Sequence, residues 1–281
     1  MNFKYKSMLV VSLLWLVSAC NDDFMDRVPE TSIGKENFFN TEEDLDLYVY
    51  GLYNFPGHSQ LIEDRSTDNA ATTGTTEIKN MMISNPSSAT INGGWEWEGL
   101  RNINFFLENF SNADLSESRL AHYEGLGRFF RARFYVDKVK RYSDVPWYEQ
   151  VISSDNDELL FKGRDSREMV VQNIMEDFTY AAENVDQSGE EGEVNQWVVK
   201  AYLARFALYE GTYRKYHPEL GLEGTADEFI RIARDVAKDI MDNGGFSLHN
   251  TGNPMADYGA LFTNTSLGGN PEVILVRAFE D

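Results

Sequence analysis

The sequence predicts a mainly α-helical protein whose helices stack as a superhelix, with long loops and little β structure. Three observations carry this expectation. Apolar residues recur at helical spacing in successive segments that come in consecutive pairs. The longest of these segments is apolar on two sides, as a helix lying between two neighbours must be. A later one carries the small residues Ala201, Ala204, Ala207 and Gly211 in a stripe that lets another helix backbone come close. No clean repeat period of about 34 residues is present, so the solenoid expectation rests on helix character and not on repeat identity.

The elements follow in order. Thr41-Glu42-Glu43-Asp44 places a capping hydroxyl and three acids at the positive end of a helix dipole, ahead of Leu45, Tyr48, Val49, Leu52 and Tyr53 at helical spacing. Pro56-Gly57 ends this helix, and the chain from Gly57 to Gly94 turns polar, without a sustained apolar period. So long a connection is expected to be an ordered functional surface, with a solvated insertion as the alternative. Periodicity resumes in WEWEGLRNINFFLENF, where Leu100, Ile103, Phe106, Leu107 and Phe110 share a face. ESRLAHYEGLGRFFRARFYVDKVKRY is the longest helix, with Arg128, Arg131, Arg133, Lys138, Lys140 and Arg141 expected to pair with acids on adjacent helices. Ser143 to Trp147 stops it, because Pro146 removes a donor and disfavours helical geometry in its predecessor. Asp165-Ser166-Arg167-Glu168 caps the next helix, which runs through Val170, Ile174 and Phe178. NQWVVKAYLARFALYEGTYRKY follows, and then a helix capped at Thr225 and ended by Asn243-Gly244-Gly245. Val273 to Val276 reads as a short strand.

The N-terminus supplies a different signal. Lys4 and Lys6 precede an apolar run from Met8 to Val17, the length of a signal-peptide core and too short to span a bilayer. Ser18 and Ala19 then lead to Cys20, the one cysteine in 281 residues. The order Val17-Ser18-Ala19-Cys20 resembles the bacterial lipoprotein lipobox, so residues 1–19 are expected to be a lipoprotein signal peptide and Cys20 the lipidated residue, with an ordinary signal peptide as the alternative; 20–40 is then a tether and 41–281 the helical domain. Each buried acyl methylene strengthens membrane binding by about 0.8 kcal/mol, so several chains on Cys20 would hold the protein firmly.

Composition narrows the chemistry. A net charge of -21 repels nucleic acid and anionic lipid headgroups. One cysteine excludes an intramolecular disulfide and a multi-thiolate metal site, and the four histidines show no paired-ligand spacing. GLGRFF lacks the third glycine and the preceding strand of a nucleotide motif. No serine elbow is present, and Asp155-Asn156-Asp157-Glu158 lacks the spacing of a calcium loop, so it reads as a solvated acidic loop. No catalytic residue, metal or cofactor is therefore expected. What remains is aromatic: Trp95 and Trp97 close the polar segment beside Gly93 and Gly94. An exposed indole offers a flat apolar face to a sugar ring, with helix-anchoring core as the competing role of either tryptophan.

Several long segments carry a resemblance: VSACNDDFMDRVPET, ENFFNTEEDLDLYVYGLYN, WEWEGLRNINFFLEN, RFFRARFYVDKVKRYSDVPWY, GRDSREMVVQNIMEDFTYAAENV, NQWVVKAYLARFALYEGTY and NPEVIL. Together they closely resemble the SusD/RagB family of Bacteroidota outer-membrane lipoproteins. The resemblance implies a tetratricopeptide-like scaffold, lipid-anchored and exposed on the outer membrane. It also implies a SusC-like TonB-dependent transporter as partner and capture of oligosaccharides, or in some members peptides, for uptake. Members bind and do not catalyse. Family chains run to about twice this length, so this one is expected to correspond to the N-terminal half. The family's ligand loops correspond to the Gly57–Trp97 segment, which makes Arg65, Asp68, Asn69, Trp95 and Trp97 the candidate ligand residues. A lipid-anchored scaffold that binds protein and no glycan is the rival expectation.

Overall fold

The computed structural model of the chain describes residues 39–55, 77, 81, 82, 87, 91, 93–264 and 266–277. Cys20, with the leader and the tether as far as residue 38, lies outside the described residues, as do Arg65, Asp68 and Asn69. The described chain is helical: α1 (Glu42–Leu52), α2 (Glu98–Asn109), α3 (Glu117–Tyr142), α4 (Asp157–Leu160), α5 (Arg167–Asn184), α6 (Gln196–Tyr216), α7 (Ala226–Asn243) and α8 (Pro254–Thr263). None of the described helices is long and apolar enough to cross a membrane.

Local chemistry starts most of these helices where the sequence places them. The Thr41 hydroxyl accepts from Asp44 N at 3.2 Å while the Asp44 carboxylate accepts from Thr41 N at 3.1 Å, a reciprocal cap that satisfies two donors of the first turn. Ser166 accepts from Met169 N, and one Asn195 oxygen accepts from both Trp197 N and Val198 N. Thr225 differs. It precedes α7 but makes no cap; its hydroxyl accepts from Arg214 Nη1 at 2.7 Å and donates to Leu222 O. Asn156 accepts from Leu159 N, so the acidic run read as a solvated loop in fact starts the short α4.

Consecutive long helices run antiparallel, as their contact ladders show. Gly99 meets Phe134 and Gly127 meets Leu107 between α2 and α3. The end of α3 meets the start of α5 where Arg167 donates to Val139 O, and its start meets the end of α5 where Arg119 reaches Asp186. Gln196 donates to Ala182 O while Arg214 pairs with Glu168, which sets α6 against α5. Lys200 pairs with Asp239, and Gly211 faces Ala226 and Ile230 at the other end of α7. This is a stack of antiparallel helices with α3 in the middle, burying Phe129, Phe130, Tyr135, Phe178 and Phe206 in one continuous core.

The glycines of GLGRFF act in packing. A methyl at Gly125 would stand 2.8 Å from the Val185 side chain, and one at Gly127 2.6 Å from Leu107, so each lets a neighbour close on α3 from its own side. Gly211 does the same for α7, where a methyl would meet the Ala226 carbonyl at 2.9 Å.

The cations of α3 pair with neighbouring acids only in part. Arg131 forks onto Asp177 of α5, and Arg141 reaches Glu77. Arg128 pairs chiefly with Glu124 one turn back on its own helix, Arg133 donates to the Asn54 carbonyl, and Lys138 donates to two backbone carbonyls. Between α5 and α6, buried Glu210 accepts from both Arg167 and Arg214, which stack over Tyr213 and Phe229.

Among the described residues no strand forms, and Val145 with Asp165 makes an isolated bridge. Val273–Val276 is therefore irregular chain and not the expected strand. Its residues are half-buried, Ile274 and Leu275 lean on the core, and no described segment runs beside them with a row of backbone partners.

Candidate functional site

Two tryptophans and a returning loop make a cleft on the α2–α3 side of the stack. Its first wall is the turn 93–97, which α3 holds in place. Lys138, 6% exposed, donates to Gly94 O and to Glu96 O at 2.6 Å, and its ammonium lies 5.3 Å from the centre of the Trp97 ring. Burial pushes the Lys138 ammonium below its ordinary pKa. Tyr142 donates to Gly93 O, and Gly94 takes φ 85° against the Arg141 side chain, a conformation that suits glycine. The turn thus presents Trp95 with its ring 4.7 Å from Tyr142 and 5.2 Å from Trp97, both nearly perpendicular.

The second wall is the chain after α3, from Pro146 to Ile152. Tyr135 accepts from Tyr148 N at 2.7 Å, donates to Pro146 O and stacks on Trp147 at 4.1 Å. Asn104 of α2, 1% exposed, donates to Tyr148 O at 3.0 Å and Gln150 O at 3.1 Å. Both its amide hydrogens are spent, and among the described residues its buried oxygen has no hydrogen-bond partner. Arg101 donates to Ile152 O at 3.1 Å, and Glu108 accepts from Val151 N. Tyr148 in turn donates to Leu159 O of α4.

Between the walls lies a cavity of about 440 Å³ with Trp95, Trp97, Arg101, Asn104, Tyr148 and Lys162 in its lining. Small-molecule sites commonly measure about 300–1,000 Å³ and combine apolar walls with a few polar groups, which is the composition found here. Lys162 pairs with Asp165 at 2.6 Å and donates to Trp147 O.

Both candidate tryptophans therefore line one cavity. Trp97 is half-buried and also packs on Phe134, Tyr135 and Tyr148, so it serves as core anchor and cleft wall together. Trp95 is 38% exposed, and Arg164 lies over its ring at 5.2 Å. Its indole is less open than a free platform would be. Arg65, Asp68 and Asn69 lie outside the described residues. Tyr148, Lys162 and Arg164 went unmarked in the sequence, since they come from a different stretch of chain. Asn104 did carry a signal: it is polar on the face shared by Leu100, Ile103 and Leu107.

The fold and cleft define a helical-repeat scaffold with an aromatic-walled cavity. No family model matches the chain. A SusD-like protein of Bacteroides ovatus is 24% identical over 279 residues, covering 92% of this chain and 47% of the relative. A crystal structure of a SusD-like protein from Bacteroides fragilis superposes with a TM-score of 0.67 at 23% identity, covering 87% of this chain and 46% of that one. A SusD-like carbohydrate-binding protein from the same species superposes at 0.60 with 19% identity, over 75% of this chain and 42% of that one. The fold is that of SusD-like proteins, and the sequence is similar to theirs over most of the chain. The chain spans about half the length of the curated relatives it matches, 47% and 44%.

Proposed function

We propose that the chain is a binding protein that captures oligosaccharides in the Trp95–Trp97 cleft. On this proposal it is tethered to the outer membrane through Cys20, exposed at the cell surface, and passes its ligand to a SusC-like TonB-dependent transporter. The observation that carries the reading is the convergence of Trp95 and Trp97 with the polar groups of Arg101, Gln150 and Lys162 on one cavity. Ring faces and forked donors are what a sugar's C–H surface and hydroxyls require. The carbohydrate-binding relative of the same fold supports it further. Arg65, Asp68 and Asn69 remain candidate contacts.

The test is affinity electrophoresis of the 281-residue chain in gels carrying a panel of polysaccharides. Retardation by at least one glycan, lost in Trp95→Ala while the circular dichroism spectrum stays the same, is the expected result. Retardation by none overturns the reading. Release of reducing ends by purified protein would replace binding with catalysis.

A second reading, a lipid-anchored scaffold that binds protein, draws on α8, where Met255, Tyr258 and Phe262 are 90%, 71% and 72% exposed. A chain retarded by no glycan would turn attention to that face.

A further inference from the structure

We infer that the cleft is selective for an anionic oligosaccharide, one bearing carboxylate or sulfate groups, with Arg164 and Arg101 as the anion-binding residues. The inference rests on the proposed glycan-binding reading and names the ligand class of that same site.

Arg164 lies over the Trp95 ring with its guanidinium carbon 5.2 Å from the ring centre. A guanidinium placed over an aromatic ring keeps N–H groups available for a forked contact with a carboxylate or sulfate. Trp95 and Arg101 line the cavity, whereas Arg164 stands against the Trp95 ring and is not itself in the lining; Arg101 uses Nη1 on the Ile152 carbonyl, a neutral acceptor. Among the described residues neither guanidinium has a carboxylate partner. Arg119, Arg131, Arg141, Arg167 and Arg214 each face an acid, while Arg133, over Phe55 and donating to Asn54 O, shares with Arg164 and Arg101 the lack of one among the described residues.

Of the other charged lining groups, Lys162 is neutralised by Asp165 at 2.6 Å, and exposed Glu98 adds a negative charge that the dipole of α2 stabilises in its first turn. One unneutralised guanidinium in the cavity lining and a second against Trp95 give local positive charge in a chain of net charge -21, whose overall field repels anions. An anionic ligand is retained only where local donors overcome that field. A neutral glycan would leave both arginines without a charged partner.

The test compares retardation of the full chain in gels carrying dextran sulfate or polygalacturonate, each beside its neutral counterpart, dextran or fully methyl-esterified pectin. Retardation by an anionic polymer and not by its neutral counterpart, weakened by salt, is expected, and whichever anionic polymer retards identifies sulfate or carboxylate as the group read. Arg164→Gln and Arg101→Gln should each weaken it by about tenfold or more, the loss expected for one charge-assisted contact. Substitution of the exposed Arg205 on α6 should leave it unchanged, which separates the cleft from general attraction to polyanions. Arg164 and Arg101 are both exposed, and because Arg101 also ties Ile152 O, an unchanged tryptophan emission and circular dichroism spectrum of each variant shows that the cleft stays intact. Neutral polymers retarding as strongly as anionic ones, with Arg164→Gln and Arg101→Gln without effect and Trp95→Ala abolishing retardation, would overturn the anionic class and leave glycan capture standing. Equal loss in the Arg205 variant would overturn it too. If no polymer retards the chain, both readings fall.

Discussion

Arg131 of α3 and Asp177 of α5 meet through two parallel hydrogen bonds, Nε to Oδ2 at 2.7 Å and Nη2 to Oδ1 at 2.8 Å, with both residues under 10% exposed. Removing one partner strands a buried charge. Asp177→Ala is expected to cost about 3–5 kcal/mol in urea unfolding, whereas replacing both residues with apolar side chains of similar volume should cost much less. A double variant as unstable as the single one would show that the pair contributes more than its own compensation.

Two glycines should respond oppositely to the same change. Gly51→Ala, in α1 with open space around it, should stabilise by about 0.5–1 kcal/mol through helix propensity alone. Gly211→Ala would press a methyl onto the Ala226 carbonyl and the Ile230 nitrogen at 2.9 and 3.0 Å, and is expected to cost about 1–3 kcal/mol. Thermal melts of the two variants check both signs.

His122 makes stability fall in mild acid. Its Nδ1 accepts from Asp186 N at 3.0 Å, which requires an unprotonated nitrogen. Burial holds its pKa below the ordinary 6.5; Asp186 pulls it up, Arg119 pushes it down, and Asp46 and Glu42 add smaller upward pulls. The folded state therefore binds fewer protons than the unfolded one just below pH 6.5, and this contribution, full above that value, is lost as pH falls through the folded pKa. His122→Asn, whose oxygen can take the same hydrogen bond, should flatten the difference in urea midpoint between neutral and mildly acidic buffer.

Lys138→Met keeps the buried stem and removes the ammonium from the Gly94 and Glu96 carbonyls. A loss of about 2 kcal/mol is expected, in the range for hydrogen bonds to a charged group. Hydrogen exchange should accelerate at amides 93–97, with a change in tryptophan emission, while the far ends of α5 and α6 stay protected.

Much of this architecture was legible because helix signals are local. Thr41 and Ser166 cap where the sequence put caps, since the donors they satisfy lie three residues on, and Asn195 does the same for α6 without having been marked. Thr225 has the same residue type, yet its hydroxyl is drawn to Arg214, 11 residues earlier, and tertiary contacts do not show in a local pattern. Val273–Val276 has a strand's composition, but a strand also needs a neighbour, which a run of four apolar residues cannot disclose. At the site, Trp95 and Trp97 were visible as aromatics on polar chain. Arg164 was not, because only the fold carries it across to Trp95.

The tie from Lys138 to the 93–97 turn also bears on how a ligand would be held. The two indoles take their angles from the central helix of the stack, so their rotamers and the turn's backbone are already restricted before anything enters the cleft. A wall ordered in this way leaves little conformational entropy to be lost on association. Affinity at such a site would then be governed by the fit of the incoming molecule and its loss of hydration, with the protein's own rearrangement a minor contribution.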